Sequence, residues 1–180
     1  MITEEKKQLR KTIKEIKKNF SELEKKKQSK IIFNKIEQLA AFKKAAVVLL
    51  YWSMDDEVFT HDFIDKWWKQ KTILLPSVAG DVLNLKKYSG FRSMKKGEMF
   101  GILEPTGDDF TDTDKIDLII VPGVAFDKNN NRMGRGRGYY DKLLSQTKAV
   151  KVGVCFDFQL FDVVPVEKHD LPMNMVISSL

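Results

Sequence analysis

Between Val121 and Asp141 the chain reads VPGVAFDKNNNRMGRGRGYYD, and within it Gly134, Gly136 and Gly138 alternate with Arg135 and Arg137 just after Arg132. Glycines without a Cβ let the backbone approach a ligand closely, and arginine forks bind phosphate oxygens two at a time. Successive backbone N–H groups and the positive end of the helix expected after them also favour an anion. Asp141 falls on the first turn of that helix, where a carboxylate can hold the magnesium that accompanies a nucleotide triphosphate. The chemistry indicated is the binding of phosphate groups.

Two other readings stay open at this point. A dinucleotide loop would use Asp157, 19 residues after Gly138, as its ribose acid, but its glycines should follow a strand directly as G-x-G-x-x-G. Here residues 122–133 intervene and the glycines run G-x-G-x-G. Gly-Arg repeats also occur in basic RNA-binding tails, whereas this one lies between an apolar strand and Tyr139-Tyr140. No G-x-x-x-x-G-K-[ST] loop is present.

Leu9, Ile13, Ile16 and Phe20 share a helix face over about residues 4–20, and Ile32, Ile36 and Leu39 continue the period in a second helix reaching about residue 42. Ser21 and Glu24 form a capping box in front of it. Residues 45–52 are continuously apolar, as expected of a strand buried on both faces of a parallel sheet. Thr60 is an N-cap candidate for a helix to Trp68, residues 72–78 form a second strand, and residues 80–114 read as a small strand pair with loops. A strand over 115–121, a helix over 138–145 and a strand over 148–156 complete an alternating pattern. The expected fold is one three-layer α/β domain spanning 1–180, with a mostly parallel central sheet flanked by helices. Trp67, Trp68 and Cys155 read as packing residues, and His61 as a surface residue.

With 43% hydrophobic and 31% charged residues, disorder and membrane spans are excluded. The net charge of +6 is lopsided: residues 1–44 hold 14 Lys and Arg against 6 acids, and the remainder 17 against 19. Without helix-turn-helix, zinc or aromatic RNA-binding signatures, that segment argues for anionic small molecules and against nucleic acid. A single cysteine and a polar N-terminus fit a reducing cytoplasm.

Pro122–Asp127 followed by Arg132–Asp141 resembles the signature of the 5-formyltetrahydrofolate cyclo-ligase, or methenyltetrahydrofolate synthetase, family. Lys6–Arg10 resembles its N-terminal nucleotide contacts, Trp52–Glu57 its folate-binding turn, and Pro165-Val166 with Asp170 its C-terminal portion. The resemblance implies an enzyme using ATP and Mg2+ to turn 5-formyltetrahydrofolate into 5,10-methenyltetrahydrofolate, releasing ADP and phosphate. By the same resemblance Lys6, Lys7, Arg10 and Arg132 through Tyr140 bind ATP, with Gly134, Gly136 and Gly138 in the loop. Trp52, Glu57 and Arg135, Gly136, Arg137, Gly138 and Tyr139 meet the folate, Arg135, Arg137 and Tyr140 are catalytic, and Asp141 and Asp170 hold the metal. A cytoplasmic monomer acting on mono- or polyglutamyl folate, with no nucleic-acid or membrane partner, is the expectation.

Overall fold

The computed structural model describes residues 2–97, 101–168 and 170–180. Ile2–Lys18 (α1) and Glu22–Gln38 (α2) are the two N-terminal helices that the apolar spacing predicts. The Ser21 hydroxyl accepts the Glu24 backbone N–H at 3.2 Å, satisfying a first-turn donor that has no partner inside the helix. The helix does not continue to residue 42. Leu39 is extended, and a separate turn of helix, Ala40–Lys44 (α3), carries Phe42 into the core against Phe63 and Trp67.

Val47–Leu49 (β1), His61–Trp67 (α4), Thr72–Ala79 (β2) and Val82–Lys87 (β3) come next. Met94–Lys96 (β4) and Leu103–Pro105 (β5) form a separate antiparallel ribbon, so the strand pair expected in 80–114 becomes two hairpins; residues 98–100 of that stretch lie outside the described ones. The remaining elements are Leu118–Pro122 (β6), Ala125–Asp127 (β7), Arg132–Met133 (β8), Tyr139–Leu144 (α5), Val150–Val154 (β9), Leu160–Phe161 (β10) and Met175–Ile177 (β11).

Six strands form the central sheet in the order β11-β9-β6-β1-β2-β3. Every neighbouring pair is parallel except β2 with β3. Because side chains alternate along a strand, each apolar run feeds two cores. Val48, Leu50, Ile73, Leu75, Leu118 and Ile120 pack with α2, α3 and α4 on one face. Leu49, Leu74, Ile119 and Val121 pack with Leu143 and Leu144 of α5 on the other. The expected helix–sheet–helix layering and mostly parallel sheet are what the chain adopts.

Two parts went unpredicted. The three-residue edge strand β11 is half-buried, and the small sheet β10-β7-β8 closes around residues 128–131. Their strands of two or three residues are too short to show a period.

The two sheets meet where Phe126 of β7 lies over Gly153 of β9. A Cβ built on Gly153 falls 2.4 Å from Phe126 Cε1 and 3.1 Å from Met173 Cγ. Gly153→Ala is therefore expected to destabilise the fold by about 1–3 kcal/mol through overpacking. The midpoint of urea unfolding measures this, and an unchanged midpoint would mean that the Phe126 ring moves aside freely.

Candidate active site

In open α/β sheets a crevice forms beyond the carboxyl ends of the parallel strands. Here β1 runs out into Tyr51–Glu57 and its neighbour β6 into Pro122-Gly123, and a cavity of about 480 Å³ opens between them. Lys6 and Arg10 of α1, Trp52 and Glu57, the run Arg132–Asp141, and Asp170 all line it. Lys7 does not; it is exposed on α1. The opposite wall, from Pro76, Val78, Leu83, Ile102 and Leu103, is apolar.

The loop is built on Arg132, whose side chain is only 6% exposed. Its Nε–H donates to the Pro122 carbonyl at 2.9 Å, its Nη1 donates to Asp141 at 3.3 Å, and its guanidinium lies 5.3 Å from the Tyr140 ring centroid. Burial pushes its pKa down, against the nearby negative charges of Asp141 and Asp170. A Cβ at Gly134 would come within 2.8 Å of Arg132 Nη2, so the loop can cross the guanidinium only as glycine. Gly136 and Gly138 have φ of 99° and 70°, the left-handed region that side chains disfavour.

Three contacts from distant segments fix the loop. Arg10 Nε–H donates to the Gly134 carbonyl at 3.0 Å, and the Tyr139 hydroxyl donates to the Gly80 carbonyl at 3.1 Å. Arg135 Nη2 reaches both Asp56 at 2.7 Å and Glu57 at 3.1 Å, joining the loop to the turn after β1. Glu57 uses its second oxygen to accept the Met54 N–H at 3.0 Å. Burial raises the Glu57 pKa, against the pull of Met54 N–H and Arg135. Burial also acts upward on Asp56, but Lys17 at 3.0 Å and Arg135 outweigh it and hold that carboxyl low.

Lys6 donates to Glu167 at 2.8 Å and to Asp170. Burial works to lower its pKa, and the two carboxylates reverse this into a net rise. Arg137 is exposed at the rim of the cavity.

The structure corrects the reading of His61. Its ring stacks on Trp52 at 3.9 Å and 17°, and its Nε2 lies 3.1 Å from the Ser53 carbonyl, so it backs the indole instead of facing solvent. Thr60 stands at the N-cap position but makes no cap; its hydroxyl donates to the Tyr51 carbonyl at 2.6 Å and accepts from Ser53 N–H at 3.1 Å. Asp157 does not line the cavity. Its carboxylate accepts from Ser179 and Leu180, which removes the support for a ribose-binding acid.

Several residues at the site were not singled out from sequence. Glu104 accepts Ser77 Oγ–H at 2.7 Å and Val78 N–H at 3.1 Å, holding β5 against β2 at the apolar wall. Asp127, 1% exposed, accepts the N–H groups of Asn129, Asn131 and Val164 at 2.9 to 3.0 Å and the Asn131 side chain at 3.0 Å. That set closes the β7–β8 turn and ties it to the segment bearing Glu167 and Asp170. An Asp and three Asn within five residues, Asp127 to Asn131, are a turn signal.

Among the described residues no three His, Cys, Asp or Glu side chains gather to hold a metal. Magnesium in nucleotide sites needs only one or two carboxylates besides the phosphates. Asp141 and Asp170, both on this cavity and both within electrostatic reach of Arg132, fit that donor set.

Fold and cavity define an α/β protein with a cationic cleft for a small molecule, one wall of it apolar. The profile of the 5-formyltetrahydrofolate cyclo-ligase family matches residues 2–179, and the chain belongs to that family. It is 30% identical to the 5-formyltetrahydrofolate cyclo-ligase of Haemophilus influenzae, over 96% of this chain and 97% of that one. The mouse enzyme of the same name is 28% identical over 98% and 94%. The NMR structure of Aquifex aeolicus 5,10-methenyltetrahydrofolate synthetase superposes with a TM-score of 0.87 at 35% identity, covering 97% of this chain and 89% of that one. The Mycoplasma pneumoniae synthetase gives 0.79 at 25%, covering 97% and 99%.

Asp127 makes stability depend on acid. Burial alone would raise its carboxyl, but the Asn131 amide and the backbone N–H groups of Val164, Asn131 and Asn129 hold it below the usual range. A folded-state value below the unfolded one contributes stability above about pH 4, lost as pH falls through the folded value. Asp127→Asn should cost about 1–3 kcal/mol at neutral pH and flatten the acid limb. Denaturant unfolding across that pH range checks this; an acid limb as steep as the wild type's would place its origin elsewhere.

Proposed function

We propose that the chain is an ATP-dependent cyclo-ligase that converts 5-formyltetrahydrofolate to 5,10-methenyltetrahydrofolate, with release of ADP and phosphate, in the cytoplasm and as a monomer. The observation that carries this reading is the meeting of α1, the Trp52–Glu57 turn, the Gly-Arg loop and Asp141 on one cleft. One side is cationic and glycine-lined, suited to phosphates; the other offers an apolar wall, an indole and a carboxylate, suited to a flat ring with N–H groups.

The reaction consumes ATP as a substrate. The formyl oxygen bonds to the γ-phosphorus as the bond to the ADP oxygen breaks. The N10 lone pair then attacks the formyl carbon, N10 gives up its proton, and the carbon–oxygen bond breaks to release phosphate. Such transfer needs positioning and charge neutralisation more than a covalent nucleophile. Arg132, Arg135 and Arg137, with Lys6 and Arg10 from α1, supply positive charge for the phosphates. Gly134, Gly136 and Gly138 let the backbone come close, and Tyr139 and Tyr140 close the loop's end. In this reading Arg135, Arg137 and Tyr140 act on the reacting groups. Glu57 accepts from pterin N–H groups and Trp52 packs on the ring. Asp141 and Asp170 would hold magnesium, which neutralises phosphate charge when bound.

The direct test is the ATP-dependent appearance of the methenyl chromophore from 5-formyltetrahydrofolate, with ADP measured in parallel. Absence of both from folded protein would overturn the reading.

Two substitutions test the assignments. Glu57→Gln replaces an acceptor by a donor, and loss of a charge-assisted hydrogen bond is worth about 1.5–3 kcal/mol, so folate Kd should rise at least about tenfold. Titration calorimetry decides: unchanged folate binding would remove Glu57 from the site. Asp141→Asn should raise the magnesium concentration needed for half-maximal turnover several-fold. Since Asp141 also compensates the buried Arg132, a variant that loses stability but keeps the wild-type magnesium titration would assign Asp141 to Arg132 alone.

A further inference from the structure

The apolar wall of the cavity is assembled from two sheets. Pro76 and Val78 of β2 and Leu83 of β3 belong to the central sheet, whereas Leu103 of β5 and the preceding Ile102 come from the separate β4–β5 ribbon. Backbone bonds tie down the foot of that ribbon. The Thr106 N–H donates to the Ser93 carbonyl at 2.9 Å, the Lys87 N–H to the Asp108 carbonyl at 3.0 Å and the Phe110 N–H to the Leu85 carbonyl at 2.7 Å.

Higher up, Glu104 makes the connection. Its Oε2 accepts the Ser77 hydroxyl at 2.7 Å and its Oε1 accepts the Val78 N–H at 3.1 Å, joining β5 to β2 beside Ile102 and Leu103. Bonded and non-bonded pairs alternate along an antiparallel ladder. Counting back from the two-residue turn Gly80-Asp81 puts Ala79 with Val82 and Ser77 with Asn84 in bonded pairs, and Val78 with Leu83 in a non-bonded one. The Val78 N–H therefore points away from β3, toward the side of β1, whose pairing with β2 ends at Leu74. Glu104 satisfies that edge donor, and Pro76, the next edge position, has no N–H to offer. Gly97 makes room for the carboxylate: a Cβ there would fall 2.6 Å from Glu104 Cδ and 2.7 Å from its Oε1.

We propose that Glu104 is a positioning residue for folate binding, a brace whose hold on Ser77 and Val78 fixes the two halves of the apolar wall relative to each other and so sets the width of the slot for the flat ring. This rests on the folate reading of the cavity. The cations of the phosphate side come from α1 and the Gly-Arg loop, neither of which the brace touches. Glu104 itself lines the cavity and Ser77 does not, so substituting both separates a brace from a direct contact with the ligand.

The test is titration calorimetry of 5-formyltetrahydrofolate and, separately, of ATP on wild type, Ser77→Ala, Glu104→Ala, the double variant and Glu104→Gln. Folate Kd should rise about fivefold in Ser77→Ala and at least about tenfold in Glu104→Ala, as expected for loss of one or both hydrogen bonds to a carboxylate. Because both substitutions undo the same brace, the double variant should bind no more weakly than Glu104→Ala alone. A glutamine amide can accept from Val78 N–H and donate to the Ser77 hydroxyl, so Glu104→Gln should stay within about threefold of wild type. ATP Kd should hold at the wild-type value throughout. Wild-type folate affinity in Ser77→Ala, multiplied effects in the double variant, a Gln variant as weak as the Ala variant, or an equal loss of ATP would each overturn the brace. A folded wild type that binds no 5-formyltetrahydrofolate would instead bring down the main reading, and the brace with it.

Discussion

A guanidinium almost fully out of water has to be compensated on every side, and Arg132 sets that demand at the centre of the fold. The Pro122 carbonyl at the end of β6, the Asp141 carboxylate on the first turn of α5 and the Tyr140 ring each answer part of it. The end of a central strand, the short strand β8 and the start of α5 are thereby held around one charge. Gly134 lacks a side chain because the guanidinium occupies the space a Cβ would take. Removing Asp141 would leave an uncompensated charge, so the loop's shape and its positive potential have a common origin.

Above that base, Arg135 couples two parts of the cleft that the chain brings from 79 and 78 residues away. Its contacts with Asp56 and Glu57 bind the phosphate side to the turn that carries Trp52. Glu57 is pushed toward its protonated form by burial and pulled back by Arg135 and the Met54 N–H. The carboxylate is thus sensitive to anything that draws Arg135 away. His61 plays a plainer part, giving the indole a flat backing.

Much of the fold was legible because buried parallel strands announce themselves. The apolar runs at 45–52, 72–78 and 115–121 each fall on a strand of the central sheet, and their alternate residues divide between its two faces. The break at Leu39 was hidden because Ile36, Leu39 and Phe42 keep a helical period straight through it. The β10-β7-β8 sheet was hidden because its strands are as short as two residues. At the site, glycines and arginines at fixed offsets were visible, as were the acids within family motifs. Asp56, Glu104 and Glu167 were not, since a carboxylate in a polar stretch looks the same whether it faces water or grips a partner across the cleft. His61 was misjudged for the same reason.

The grip of Glu167 and Asp170 on Lys6 spans 161 and 164 residues. Closing so long a loop carries a large entropy cost, repaid only once the intervening sheet has brought the ends together. A nascent chain emerging from the ribosome can form α1, α2 and the first strands early, yet the Lys6 clasp cannot form until Glu167 and Asp170 appear. One wall of the cleft is therefore assembled only after β1 to β10 have been made, and a chain interrupted before Glu167 lacks the clasp even when most of its core is in place.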